Sequence, residues 1–395
     1  MGREDVLEGR FAGGYGGVLE IEGGKLLHIT GGLRGFTSED GGRSWSEPFE
    51  LEGPEGAIEG HSSVGLTRLS SGALALHYSN DIVRSEGYRK LAYRWSVDEG
   101  ASWSEEVCIN PHGAIAWPHY DALIQSRSGR LILPVRQCFA HRAKETLALG
   151  AFQDESGGIY GHTLIPEMVI TFIYFSDDEG RTWSQSEDEL MLWVNQGYGN
   201  VALCSEPTVA QMSDGNLILL MRTTLGRIAQ SISEDDGETW SMVQLNSLCN
   251  SCSPPRIRRI PQTGDLHCVW NNVTIEENRR GFRRSRLSSA VSRDNAQTWE
   301  CFRNLECCSA LENIAEIKDP EEPKHSKQGE KFEGFPPGYV IYRYPNVFYT
   351  KDRVLFMYSY EQVSAAEGRV VGESDVNKPD NYCKLLDVPI DWVYG

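Results

Sequence analysis

Six places in the chain collect side chains that can move protons or hold charge: Gly14-Tyr15, His61-Ser62-Ser63, His119-Tyr120-Asp121, Glu206, Pro255-Arg256 and Tyr344. Imidazoles, carboxylates and phenols serve as general acids, general bases and nucleophiles. A phenol, with a pKa near 10, is a poor nucleophile until a nearby carboxylate takes its proton. A guanidinium fork grips a carboxylate through two parallel hydrogen bonds. Two histidines, two carboxylates and several tyrosines form a set suited to bond cleavage only if the fold gathers them. Each lies about ten residues ahead of a turn that opens a short apolar strand, a regular phase that points to one repeated supersecondary unit.

The strands that leave those turns read Gly24-Lys-Leu-Leu-His-Ile, Gly72-Ala-Leu-Ala-Leu-His, Gly129-Arg-Leu-Ile-Leu-Pro, Gly215-Asn-Leu-Ile-Leu-Leu, Gly264-Asp-Leu-His-Cys-Val and Asp352-Arg-Val-Leu-Phe-Met. Five of the six units also carry the phrase Ser-x-Asp-x-Gly-x-Ser/Thr-Trp. It runs over Ser38–Trp45, Ser96–Trp103, Ser176–Trp183, Ser233–Trp240 and, with Ala296 in place of glycine, Ser292–Trp299. The Asp can accept bonds from turn N–H groups, the Gly allows positive φ, and the Trp anchors the turn in an apolar layer. These aspartates therefore read as turn-builders. Regular short strands with a repeated Gly/Trp phrase predict an all-β chain, a six-bladed β-propeller occupying residues 1–395 as one domain. The N-terminal segment is expected to complete the last blade. Residues 139–169 and 319–338 read as loop insertions, the second as a gate ahead of the sixth unit.

Composition narrows the partners. Asp and Glu outnumber Lys and Arg 56 to 38 over 395 residues, a net charge of −18. That argues against nucleic acid or an anionic membrane, which need a basic face, but a few convergent arginines can still hold a small anion. The apolar run Met168 to Phe175 is too short to span a bilayer. The N-terminus shows no apolar signal segment, and the ten cysteines contain one C-x-x-C, Cys249 to Cys252, with no second pair at zinc spacing. Free thiols and a cytosolic location are expected, or a secreted one if a leader has been removed.

The five phrases resemble the Asp boxes, or BNR repeats, of the sialidase (neuraminidase) superfamily. Ser205-Glu206-Pro207 with Arg222 in Met221-Arg222-Thr223 is similar to that family's Glu-Pro motif and second arginine. Arg284, before the fifth box, falls where a third arginine belongs, and Tyr344 where the tyrosine nucleophile belongs, with Tyr342 beside it. The resemblance implies a retaining exo-glycoside hydrolase for a terminal carboxylate-bearing sugar, a sialic acid or related nonulosonic acid, on a glycan or glycoconjugate. In that reading Arg222 and Arg284 clamp the carboxylate, Glu206 activates Tyr344, and no metal or organic cofactor is needed. The family's Arg-Ile-Pro opening is missing. Arg10, in Arg10-Phe-Ala, is the nearest early arginine, with Arg34 a second candidate. Asp121 is the acid/base candidate, with Asp81 and His61 behind it, and His61, His119 and Tyr342 are expected to line the substrate. Two rivals remain open: a glycosidase or lyase for uronic-acid glycans that uses His61 or His119, and a non-catalytic glycan-binding propeller.

Overall fold

The computed structural model describes residues 7–11, 14–60, 62–83, 88–111, 116–138, 169–194, 200–202, 204–274, 277, 282, 284–308, 311, 340–362 and 382–395. His61 and the two stretches read as insertions, 139–168 and 319–338, lie outside the described residues.

Short runs rich in Leu, Ile and Val, punctuated by glycine turns, pair into six antiparallel sheets of four or five strands, with two further two-stranded sheets beside them. The first blade holds Gly16–Ile21, Lys25–Thr30, Arg34–Ser38 and Phe49–Glu50. The second holds Ser62–Arg68, Leu74–Val83, Tyr88–Ser96 and Val107–Cys108. In the third, a split inner strand (Ala116–Pro118 and Ile124–Gln125) pairs with Leu131–Cys138, followed by Val169–Ser176 and Ser184–Gln185. The fourth runs Ser205–Gln211, Leu217–Arg222, Arg227–Ser233, Gln244–Cys249. The fifth runs Arg256–Arg259, Leu266–Trp270, Arg286–Ser292, Glu300–Cys307. Val340–Tyr349, Arg353–Gln362 and Tyr382–Pro389 build the sixth, and the N-terminal strand Leu7–Phe11 pairs onto its outer edge, Leu7 opposite Asp387.

Apolar layers between consecutive blades hold the ring. Leu27 and Ile29 meet Leu74 and Leu76, Leu91 meets Leu133 and Val135, and Ile132 meets Leu217 and Leu219. Ile218 and Leu220 then meet Cys268 and Trp270, and Val269 and Val291 meet Phe356. The ring closes where Val18 and Leu26 of the first blade pack against Leu355, Met357 and Leu385 of the sixth. The chain is a six-bladed β-propeller, as its repeats predict. Among the described residues no helix is long and apolar enough to cross a membrane. Cys249 and Cys252 are free thiols, as are Cys108, Cys204, Cys268, Cys301, Cys307, Cys308 and Cys383.

The repeated phrase does the work its chemistry suggests. In the first copy Asp40 accepts from the Ser44 backbone N–H (2.9 Å), the Ser44 hydroxyl (2.6 Å) and the Ser38 hydroxyl (2.9 Å). The bonds from Ser44 hold its carboxyl down at about 2. Asp98, Asp178, Asp235 and Asp294 repeat the arrangement on Ser102, Thr182, Thr239 and Thr298. The turn needs two successive left-handed residues, Glu179 at φ 56° and Gly180 at φ 90° in the third copy. Ala296 is forced to φ 63° in the fifth.

Candidate functional site

The inner strands do not enter the channel as regular strands. The second, fourth and sixth each slip register near their starts, between Ser62 and Gly65, Ser205 and Thr208, and Arg343 and Asn346. The third is broken between Pro118 and Ile124. At each irregularity one non-glycine residue sits in the left-handed region: Ser63 (φ 55°), Asp121 (φ 50°), Glu206 (φ 47°) and Tyr344 (φ 50°). Such a conformation costs about 1–2 kcal/mol for an L-residue, and a bulge turns a side chain away from the strand's normal alternation. Three of the four are Asp, Glu and Tyr. Strain stored at this recurring position marks the site.

Blades one, three and six bring their tyrosines together. The ring centroids of Tyr15 and Tyr344 are 4.9 Å apart, those of Tyr15 and Tyr120 5.0 Å, and those of Tyr120 and Tyr344 5.8 Å. His119 lies 5.8 Å from Tyr344, and the Arg284 guanidinium is 5.2 Å from the centre of the Tyr344 ring.

Beside this aromatic group lies a buried charge network. Arg222 Nη1 donates to Glu206 Oε2 at 2.6 Å, and Arg136 Nη1 lies 3.5 Å from Glu206 Oε1. Burial works against the Glu206 charge, but Arg222 and Arg136 outweigh it and hold the carboxyl well below its usual range. The Arg222 guanidinium also donates to Cys252 Sγ (3.3 Å). From the fifth blade, Arg256 and Arg258 cross to the third. Arg256 donates to the Asp121 carbonyl (3.0 Å), and Arg258 pairs with the Asp121 carboxylate (2.8 Å). Three arginines (136, 222 and 258) thus share two carboxylates (Glu206 and Asp121), and Arg256 bonds only to carbonyls and His119, so among these described residues cations outnumber anions in a chain whose net charge is −18.

His119 has a fixed role in this network. Its Nδ1 lies 3.1 Å from Arg256 Nη2. A guanidinium only donates, so Nδ1 accepts and the neutral ring carries its proton on Nε2. That N–H is buried and has no hydrogen-bond partner among the described residues. Burial, with Arg256 adding to it, drives the imidazolium form well below its usual pKa. The ring is a neutral donor, unsuited to acid/base exchange near pH 7.

The residues singled out from sequence distribute unevenly. Glu206, Arg222, Arg284, His119 and Tyr344 gather in one cluster, although no hydrogen bond joins Glu206 to Tyr344 among the described residues: the Glu206 carboxylate is taken by Arg222 and Arg136. The Asp121 carboxylate is held by Arg258 and by the Leu66 N–H (3.1 Å) and lines a cavity at the other end of the channel. Tyr342 lies in the apolar layer of blade six, 6.3 Å from Tyr358, because the inner strand alternates and the bulge re-aims Tyr344 only. Arg10 is corrected outright: it is exposed on the outermost strand of the sixth blade, since Leu7–Phe11 closes the ring and does not line it. His61 and the Asp81 side chain lie outside the described residues. Arg136 and Glu361, which pairs with Arg343 at 3.3 Å, were missed. The signal for Arg136 was present: it follows its turn glycine by the same interval as Arg222 (129 to 136, 215 to 222).

Comparison with known proteins agrees with this architecture. Anhydrosialidase of the leech Macrobdella decora is 28% identical over 174 residues, covering 42% of this chain and 18% of that protein. The chain thus spans under a fifth of that relative's length. The NanB sialidase of Streptococcus pneumoniae, as its K499G mutant, superposes with a TM-score of 0.55 at 13% identity, over 96% of this chain and 68% of that one. The α-L-arabinofuranosidase arb93a of Fusarium graminearum superposes with a TM-score of 0.53 at 13% identity, over 96% and 94%. At such identities the structural likeness establishes the fold. The BNR repeat-like domain model matches residues 33–357, and the chain belongs to that family.

Proposed function

We propose that the propeller is a retaining exo-glycoside hydrolase acting on a terminal carboxylate-bearing sugar of the sialic or nonulosonic acid class. The observation that carries this reading is the surplus of guanidinium charge around a phenol lifted into the channel by a left-handed bulge. A sugar carboxylate answers that surplus, with Arg284 lying 5.2 Å from the centre of the phenol ring and Arg222 in the adjoining charge network. The Tyr344 oxygen then bonds to the anomeric carbon as the glycosidic C–O bond breaks, its proton passing through water to the departing oxygen; a second water later attacks the anomeric carbon of the tyrosyl intermediate, returns a proton to the Tyr344 oxygen and frees the sugar. The phenol is neutral before reaction and does not repel the substrate carboxylate. Arg222 stabilises the phenoxide as it develops, while Glu206 fixes Arg222. The His119 Nε2–H donates to a sugar oxygen.

The Asp121 carboxylate is committed to Arg258, so the test substrate carries an aryl leaving group that departs without strong acid assistance. A fluorogenic aryl α-sialoside is expected to be turned over by the wild type and about a hundredfold or more slower by Tyr344→Phe. Full activity in that variant, or no turnover of any acidic aryl glycoside by the wild type, removes the proposal. One observation favours a second reading. Both guanidinium groups nearest Glu206 are already paired with it, and three tyrosines and His119 make an aromatic surface suited to a neutral sugar. An aryl α-L-arabinofuranoside in the same assay distinguishes the two.

A further inference from the structure

The inner strands also finish somewhere. Arg68, Gln125, Gln211, Arg259 and Tyr349 are the last residues of theirs, and together they ring a cavity of about 590 Å³ at the opposite end of the channel. That volume falls in the range of about 300–1,000 Å³ that holds small organic ligands. Neither Tyr344, Glu206 nor His119 lines it.

Its wall is divided by chemistry. Leu66, Leu123, Val209 and Val347 give it an apolar side. Four arginines line the rest. Arg68 is matched by Glu99 at 2.7 Å and Arg258 by Asp121 at 2.8 Å. The other two have no carboxylate among the described residues. Arg127 donates to the Ser213 carbonyl (3.1 Å) and Arg259 to the Gly264 carbonyl (3.1 Å). They are close enough for the charge of Arg127, added to partial burial, to depress the Arg259 pKa. The glutamines cannot relieve this. The amide oxygens of Gln125 and Gln211 accept from the backbone N–H groups of Ser70 and Arg127, and their NH2 groups donate to the carbonyls of the turn glycines Gly129 and Gly215. In a chain with 56 acidic residues, two mutually repelling guanidinium groups at the mouth of an apolar cavity are left for an external anion.

We propose that this cavity is a second binding site, for a small organic anion whose apolar body rests on Leu66, Leu123, Val209 and Val347 and whose acid group lies between Arg127 and Arg259. It is independent of the sugar that the Tyr344 site accepts. The test is isothermal titration with 1-naphthalenesulfonate, with 1-naphthol as the uncharged probe of similar body. One site per chain is expected. Affinity should fall about tenfold or more in the Arg127→Ala/Arg259→Ala double variant and for 1-naphthol, and should be unchanged in Tyr344→Phe. Both side chains make one carbonyl contact each, so the double variant should keep the wild-type Tm. Should it not, salt supplies the same reading on the wild type, where raised sodium chloride must weaken the sulfonate and spare the naphthol. Absence of saturable binding, binding indifferent to both the double variant and salt, or binding abolished by Tyr344→Phe overturns the proposal.

Discussion

Replacing Glu206 with Gln keeps the side chain's shape and removes the charge that Arg222 and Arg136 share at 2.6 and 3.5 Å. Glu206 and Arg222 are both buried, so water cannot take over the lost pairing. Breaking one side of a buried pair costs about 3–5 kcal/mol, because the partner's charge stays behind unmatched. Unfolding entropy near 2.1 cal/mol/K per residue gives about 0.8 kcal/mol/K for a chain of this length, so Tm should drop by about 4–6 °C. The double variant Glu206→Gln/Arg222→Met removes the orphaned cation too, and should recover about 1 kcal/mol or more relative to the sum of the single changes. Acid gives an internal control. Because the native carboxyl is held below its unfolded value, its stabilisation is fully present above the ordinary Glu pKa and is lost as pH falls through the native value. The gap between wild type and Glu206→Gln, measured by urea unfolding, should therefore hold from pH 7 to about pH 4.5 and narrow progressively below it, closing once the pH has fallen through the native value. A gap under about 1 kcal/mol at pH 7 would refute the argument that this carboxylate anchors the arginines. So would a gap already closed at pH 5.

Other perturbations test the frame and the buried histidines. Ala296→Gly relieves the left-handed strain at φ 63° and should stabilise the protein by about 0.5–1 kcal/mol in urea unfolding. Gly180→Ala should do the reverse and cost about 2 kcal/mol or more, since its Cβ would come 2.1 Å from the Tyr93 ring at φ 90°. Burial lowers His28 and His77 to about 4 and His267 to about 3, so these rings stay neutral in the native state while the unfolded chain takes up protons below pH 6.5. Their stabilisation is complete above that pH and should decline between pH 6 and 4 by up to about 1.4 kcal/mol per pH unit for each ring; a flat stability profile there contradicts their burial as neutral groups. Two-dimensional nitrogen-detected NMR of the His119 ring should find the Nε2–H tautomer unchanged from pH 8 to about pH 5, and titration near pH 6.5 would remove its assignment as a fixed donor.

The fold was legible because its signals repeat. A turn whose Asp, Ser and Gly satisfy one another locally writes itself into the chain wherever a blade needs it, and six turn-and-strand units name a ring before any long-range contact is known. The positions of Glu206 and Tyr344 followed from the same phase. The pairings inside the channel did not, because they join residues that no local rule connects: Arg256 reaches His119 from two blades away, and Arg136 of the third blade reaches Glu206 of the fourth. Arg10 failed for the same reason. Its sequence position, early in the first unit, suggests the axis, but a propeller closes by carrying its first strand to the outer edge of its last blade, so an early arginine ends up farthest from the centre. Asp121 shows the limit of residue type as evidence. Its left-handed conformation is the one used by Glu206 and Tyr344, yet the fifth blade, two away, delivers Arg258 to its carboxylate and makes it an anchor. A repeat fixes which positions approach the axis. Whether a side chain there can react depends on which partner the next blades bring to it, and in this ring the phenol of Tyr344 is met by cations and aromatic rings while both inner carboxylates are already paired.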